Sequence, residues 1–309
     1  TFNLNSQIAE NIILNDGTVT LGRRVEFLED NMFTGSGTVD MSVYRIDLGA
    51  TSDQILTGSI YWDGNGGGLS LNSNCELSST WTFSQNCKIY GNGFKIKFET
   101  AGAIEVEQGS TLEIINAEFG SMKNNDIRCL NDAAKIILDN VTLAINGNYT
   151  FTQGALEFYN EVEVKGAKDQ TFTFSYDTAM TSTIQSDGNF KITNAKLSIG
   201  KKNLDSPNQP IEYKSTKGSL VLDKSTLEIN PYGMNIKKGN IEFVGACNLD
   251  IDNTGNTRGL IIGDGTSAND PLFTIHSGSD VDVGSGALVY NSNANNILNY
   301  GSYESHMHF

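Results

Sequence analysis

Proline is scarce in this chain, 4 in 309 residues, and histidine scarcer, at 3. So few prolines leave backbone donors free for long hydrogen-bonded ladders. Charged residues make up only 18 %, and the basic ones are the minority, 21 against 36 acidic. The net charge of −15 argues against nucleic acid or an anionic membrane surface as partner. Lys201/Lys202 and Lys237/Lys238 are pairs, not a patch. No apolar run approaches the ~18 residues of a membrane helix, so no membrane insertion is expected of this segment. The four cysteines, Cys75, Cys87, Cys129 and Cys247, form no CxxC and have no metal-ligand spacing. No GxSxG elbow is present to expose a catalytic serine. The first residue, Thr1, is what removal of a secretory signal leaves, which suggests an extracellular or cell-surface setting; a trimmed sequence would begin the same way.

What the chain has is glycine, 32 residues, a comparable amount of asparagine, and a repeated alternation. In GSLVLDKSTLEIN, residues 218–230, Leu220/Leu222 and Leu227/Ile229 flank a polar corner. Period-2 alternation marks strands with one buried face. The unit recurs as Ile104/Val106 with Leu112/Ile114, Ile136/Leu138 with Leu143/Ile145, and Leu156/Phe158 with Val162/Val164. It recurs again as Phe190/Ile192 with Leu197/Ile199, Ile241/Phe243 with Leu249/Ile251, and Phe273/Ile275 with Val281/Val283. A third apolar pair often lies between copies: Ile127/Cys129, Ile211/Tyr213, Met234/Ile236 and Leu260/Ile262.

The copies start roughly 20 or 30 residues apart, the period of a coil whose turns stack on one another. One such unit cannot bury its apolar face alone. The expected fold is all-β: a right-handed parallel β-helix (β-solenoid) of roughly 10–11 rungs, with three short strands per rung. A β-sandwich would show longer strands joined by Asn-Gly hairpins. Glycines open many of the strands, in AGAIEV, QGALEF, DGNFKI, KGSLVL, KGNIEF and SGALVY, where tight corners of positive φ are expected. Residues 1–14 read as an N-terminal cap, a short helix after Ser6 or an irregular first rung. Residues 15–290 read as the solenoid and 291–309 as a C-terminal tail or cap. Adjacent Arg23 and Arg24 point to opposite sides of a strand, with Glu26 or Glu29 as expected partners.

Several residues are candidates for chemistry. Trp81, Phe83, Phe151, Phe172 and Phe174 lie in TWTFS, YTFTQ and TFTFS, either stacked in the core or forming an exposed strip for sugar rings. The alternating threonines beside them are too irregularly spaced for an ice-binding array. Asp63 in DGNGGG, and Asp264 and Asp270 in GDGTSAND, could ligate Ca²⁺, though neither stretch has the EF-hand spacing. Cys75 and Cys87 lie in matched settings, SNCEL and QNCKI, and are either a disulfide or two buried thiols. His276 reads as an exposed corner residue, and SHMHF as a loose tail.

These Gly-small-apolar starts, short strands and Asn/Gly/Thr corners resemble the secreted bacterial parallel β-helix proteins, including autotransporter-type adhesin passengers. AGAI (101–104) and FSQN (83–86) echo the GGAI and FxxN motifs of polymorphic outer-membrane passengers. The resemblance implies a non-enzymatic secreted or surface structural protein that self-associates head to tail into a filament or layer. An alternative is an adhesin or carbohydrate-binding rod that meets a host or cell-surface glycan or protein. The same fold hosts polysaccharide lyases and hydrolases. IDNTGN (251–256) and GDG (263–265) faintly match the hydrolase motifs, but the GHG and RIK partners are missing. No cofactor beyond Ca²⁺ is expected.

Overall fold

The computed structural model describes residues 7–49, 54–176, 182–185, 187–201, 211–229, 233–251, 260–263, 271–283, 288–290, 299–300 and 306–308. Parallel strands stack into a β-solenoid of about ten turns, with no helix among the described residues. The chain forms two compact units, residues 1–144 with 153–156, and residues 145–152 with 157–309.

In the first unit one turn takes 19 to 25 residues, and most turns carry three strands. Asn65–Ser70, Cys75–Leu77 and Thr80–Phe83 make one turn, and Asn86–Tyr90, Lys95–Phe98 and Ala103–Val106 the next. Trp81 pairs with Ile104 and Ile104 with Ile127, while Phe83 pairs with Val106 and Val106 with Cys129. All of these side chains are buried. A slip of one residue would put Glu105 where Ile104 sits, so burial of one face sets the register. Phe27, Phe33, Trp62, Trp81 and Phe83 form a chain of ring contacts inside the coil.

In the second unit the recurring alternations lie directly on one another. Phe190, Leu220, Ile241 and Phe273 are successive partners, as are Ile192, Leu222, Phe243 and Ile275. Leu197, Leu227 and Leu249 form another column, but its next partner is Val283, and Val281 pairs with Cys247. Val281 is buried all the same, because an offset of two residues keeps the alternation in phase.

Strands turn corners through single left-handed residues. In the first unit Asn92, Asn116 and Asn140 have φ of 54°, 52° and 55°; in the second, Asn194, Lys224 and Gly245 have 54°, 52° and 71°. Asparagine tolerates this region because its short amide bonds locally. The strand-opening glycines have two different reasons. Gly154 and Gly239 do have positive φ. At Gly102 and Gly188, by contrast, a Cβ would come 2.0 Å from the Leu77 carbonyl oxygen and 2.6 Å from that of Phe158. There the missing side chain admits the neighbouring turn.

Strand pairing reaches into both end segments. Among the described residues of 7–14 there is no helix, and Gln7–Ile8 and Ile12–Ile13 pair with Val25–Phe27 and Phe33–Thr34, as the first-rung alternative has it. Within the segment expected as a tail or cap, Asn299–Tyr300 pairs with Leu272–Ile275 and His306–His308 with Asp280–Val283.

Candidate functional site

In the first unit six strands form one sheet, running from Thr18–Thr20 through Ser36–Asp40, Ser59–Asp63, Thr80–Phe83 and Ala103–Val106 to Ile127–Cys129. Alternation sends Ile60, Trp62, Trp81 and Phe83 inward, so the residues between them face out. Register then aligns Thr18, Thr38, Tyr61, Thr82, Glu105 and Arg128 as one outward column, one residue per turn. The sequence supplies these as the polar half of each alternation, and parallel stacking makes them a line.

The upper part of this column borders a shallow groove of about 400 Å³ lined by Asp16, Gly37, Thr38, Ser59, Ile60, Tyr61, Thr80 and Thr82. Gly37 lies in its floor, where a Cβ would come 2.5 Å from the Gly17 carbonyl oxygen. Ser36 donates to the Asp16 carboxylate at one edge. Below, Thr82 donates to Glu105 at 3.4 Å, and Glu105 is also paired with Arg128. The Tyr61 hydroxyl donates to Glu107. Burial pushes the Tyr61 phenol up from its ordinary value, and the bond to Glu107 adds to this, which keeps the donor protonated. The groove thus offers hydroxyls, one carboxylate edge and one aromatic ring on a rigid frame.

The residues singled out from sequence lie elsewhere. Trp81, Phe83, Phe151, Phe172 and Phe174 are each at most 2 % exposed. The exposed aromatic strip is therefore absent, because these rings occupy the inward parity of their strands. Cys75 and Cys87 are free buried thiols, not a disulfide. Twelve residues is about half a turn, so they lie in different columns, Cys75 against Ile96 and Cys87 against Leu112. Burial pushes the thiols of Cys75, Cys87 and Cys129 up to about 12.

Asn65–Ser70 is a strand, whose Gly67 and Gly68 admit close neighbours at Tyr44 and Lys88. Asp63 ends the preceding strand and accepts a bond of 2.9 Å from Ser84. Among the described residues no group of three His, Cys, Asp or Glu is placed to hold a metal ion. Asp264 and Asp270 lie outside the described residues, as do 252–256 of IDNTGN. Arg24 pairs with Asp47 instead of Glu26 or Glu29. His276 is exposed and lies 2.8 Å from Glu242. Tyr61 belongs to none of the motifs singled out above, yet its signal is in SIYWD, where the inward Ile60 and Trp62 leave Tyr61 pointing out.

No protein family, curated protein or solved structure matches this chain.

Proposed function

We propose that the protein is a non-enzymatic solenoid scaffold that binds carbohydrate on the lateral face of its first unit. The observation that carries this reading is the groove where Thr38, Tyr61 and Thr82 line up beside Asp16, Ser59 and Thr80. Sugars present rings of hydroxyls around apolar C–H faces. Hydroxyl and carboxylate side chains answer the first, and an aromatic ring answers the second. The groove's volume lies within the few hundred Å³ usual for ligand sites, and its openness suits a chain that extends past it. A secreted or cell-surface setting is part of the same proposal.

A glycan array probed with the wild type and with Thr38→Val/Thr82→Val tests it. Two lost hydrogen bonds of about 0.5–1.5 kcal/mol each should weaken retention roughly five- to 150-fold. Retention of no glycan by the wild type, or equal retention by both proteins, contradicts the reading.

One observation favours a second reading, end-on association of copies. The inward Ile8 and Ile12 of the first described turn are half-buried, whereas Phe27 and Phe33, one turn further in, are 1 % exposed. More of the same chain, or the end of a second copy stacked head to tail, would cover them. Sedimentation that speeds up with concentration supports the second copy; a constant coefficient excludes it.

A further inference from the structure

We infer that the ring of Tyr61 is the stacking platform of this groove, and that its ligand is an uncharged, extended glycan running along the stack of turns. This rests on the carbohydrate reading above.

Tyr61 belongs to Ser59–Asp63, but its hydroxyl donates to Glu107, which follows the strand Ala103–Val106. Thr80–Phe83 lies between them, paired to both. Adjacent strands are about 4.8 Å apart, so the two residues sit about 10 Å apart along the stack. A tyrosine standing out from the sheet cannot make that bond. The side chain must instead run along the surface and over the neighbouring turn, and Ser84 of that turn also reaches the hydroxyl. One flank of the ring therefore rests on the sheet, and the other lines the groove. The face of an aromatic ring is its negative side and attracts the C–H bonds on the apolar face of a pyranose. Because the ring is held at both ends, little rotamer freedom remains to be lost on binding.

Orientation follows from the column. Thr38 and Thr82 sit one turn to either side of Tyr61, in the same outward line. A glycan along the stack meets both hydroxyls and the ring; one lying across the strands meets a single level.

Charge selects the ligand class. Asp16, Glu105 and Glu107 surround the line, in a chain of net charge −15. Arg128, the one cation of the column, is already engaged by Glu105. Uronate or sulfated chains are repelled, whereas a neutral chain is not.

The test is calorimetric titration of wild type, Tyr61→Phe and Tyr61→Ala with cellohexaose, laminarihexaose and N-acetylchitohexaose, with hexagalacturonate as the acidic counterpart. Melting curves establish that each variant is folded. The wild type should bind at least one neutral hexaose, and bind it roughly tenfold or more tightly than hexagalacturonate. Tyr61→Ala should weaken the neutral sugar by roughly tenfold or more. Tyr61→Phe, which keeps the ring but frees it from Glu107, should fall between. Neutral-sugar binding that Tyr61→Ala leaves intact, or tighter binding of hexagalacturonate, overturns this inference while the carbohydrate reading stands. Failure of the wild type to bind any of the four overturns both.

Discussion

Arg24 donates its Nε–H to a carboxylate oxygen of Asp47 at 2.5 Å, tying an exposed guanidinium on one turn to a carboxylate that is only 3 % exposed on the next. Arg45 Nε lies 3.0 Å from the other oxygen, outside hydrogen-bond geometry, so attraction there is mainly between charges. Both arginines reach solvent, but Asp47 does not. Removing either arginine should cost about 1–2 kcal/mol, because the other still faces the carboxylate. Removing both should cost more than the sum, about 3–5 kcal/mol, because a buried charge is left alone. Urea midpoints of Arg24→Ala, Arg45→Ala and the double variant check this; additive losses would show that Asp47 finds other compensation.

The corner residue Lys224 has φ of 52°, where its equivalents one turn away on either side are Asn194 and Gly245. A side chain with no local hydrogen bond to offer pays about 1–2 kcal/mol for that conformation. Lys224→Asn should therefore stabilise the protein by roughly 0.5–1 kcal/mol, and Asn116→Ala should destabilise it by about 1 kcal/mol. Thermal melts of the two variants moving in the same direction would contradict this.

Three thiols make the fold sensitive to base. Cys75, Cys87 and Cys129 have an ordinary pKa near 9 that burial raises to about 12 in the folded protein. Below pH 9 each thiol is protonated whether the chain is folded or not, and its contribution is fully present. Between pH 9 and 12 only the unfolded chain ionises, so stability falls by up to about 1.4 kcal/mol per pH unit for each thiol. Cys75→Ala should lower the slope by one thiol's share, with lysine and tyrosine titrations cancelling between the two proteins. Unfolding midpoints from pH 8 to 11 measure the slopes, and identical slopes would contradict the account.

Trp81 is 2 % exposed, and its indole N–H, like that of Trp62, is buried without a hydrogen-bond partner. An unmet donor costs about 1–3 kcal/mol, and trimming the indole to a phenyl leaves a cavity of similar cost. Trp81→Phe should therefore stay within about 1 kcal/mol of wild type, whereas Trp81→Ala should lose about 3–5 kcal/mol. A phenylalanine variant as unstable as the alanine one would mean that the indole nitrogen is satisfied.

Much of the fold was legible because a solenoid repeats one local rule. Ile192, Leu222, Phe243 and Ile275 alternate alike in sequence and stack in space, so finding the alternation was nearly equivalent to finding the core. Asparagine at corners was visible as a composition, but its place at the bends inside Thr111–Met122 and Lys135–Ile145, at Asn116 and Asn140, needed the φ angles. The site was harder to read. Aromatic TWTFS drew attention, yet parity buries Trp81 and Phe83 and turns out the plainer Thr80 and Thr82. Tyr61 gains its setting from Glu107, 46 residues away. No local pattern carries that contact, because it depends on how many residues each intervening turn consumes. The same arithmetic separates Cys75 from Cys87.

Amide chemical-shift mapping of the ¹⁵N-labelled protein, on addition of the tightest-binding neutral hexaose, shows whether the outward column of the first unit is a ligand-binding surface. Shifts should gather at Asp16, Thr38, Ser59, Tyr61, Thr80 and Thr82, which are distant in sequence and joined only by the stacking of turns. Shifts confined to the second unit, or none at saturating sugar, would contradict it.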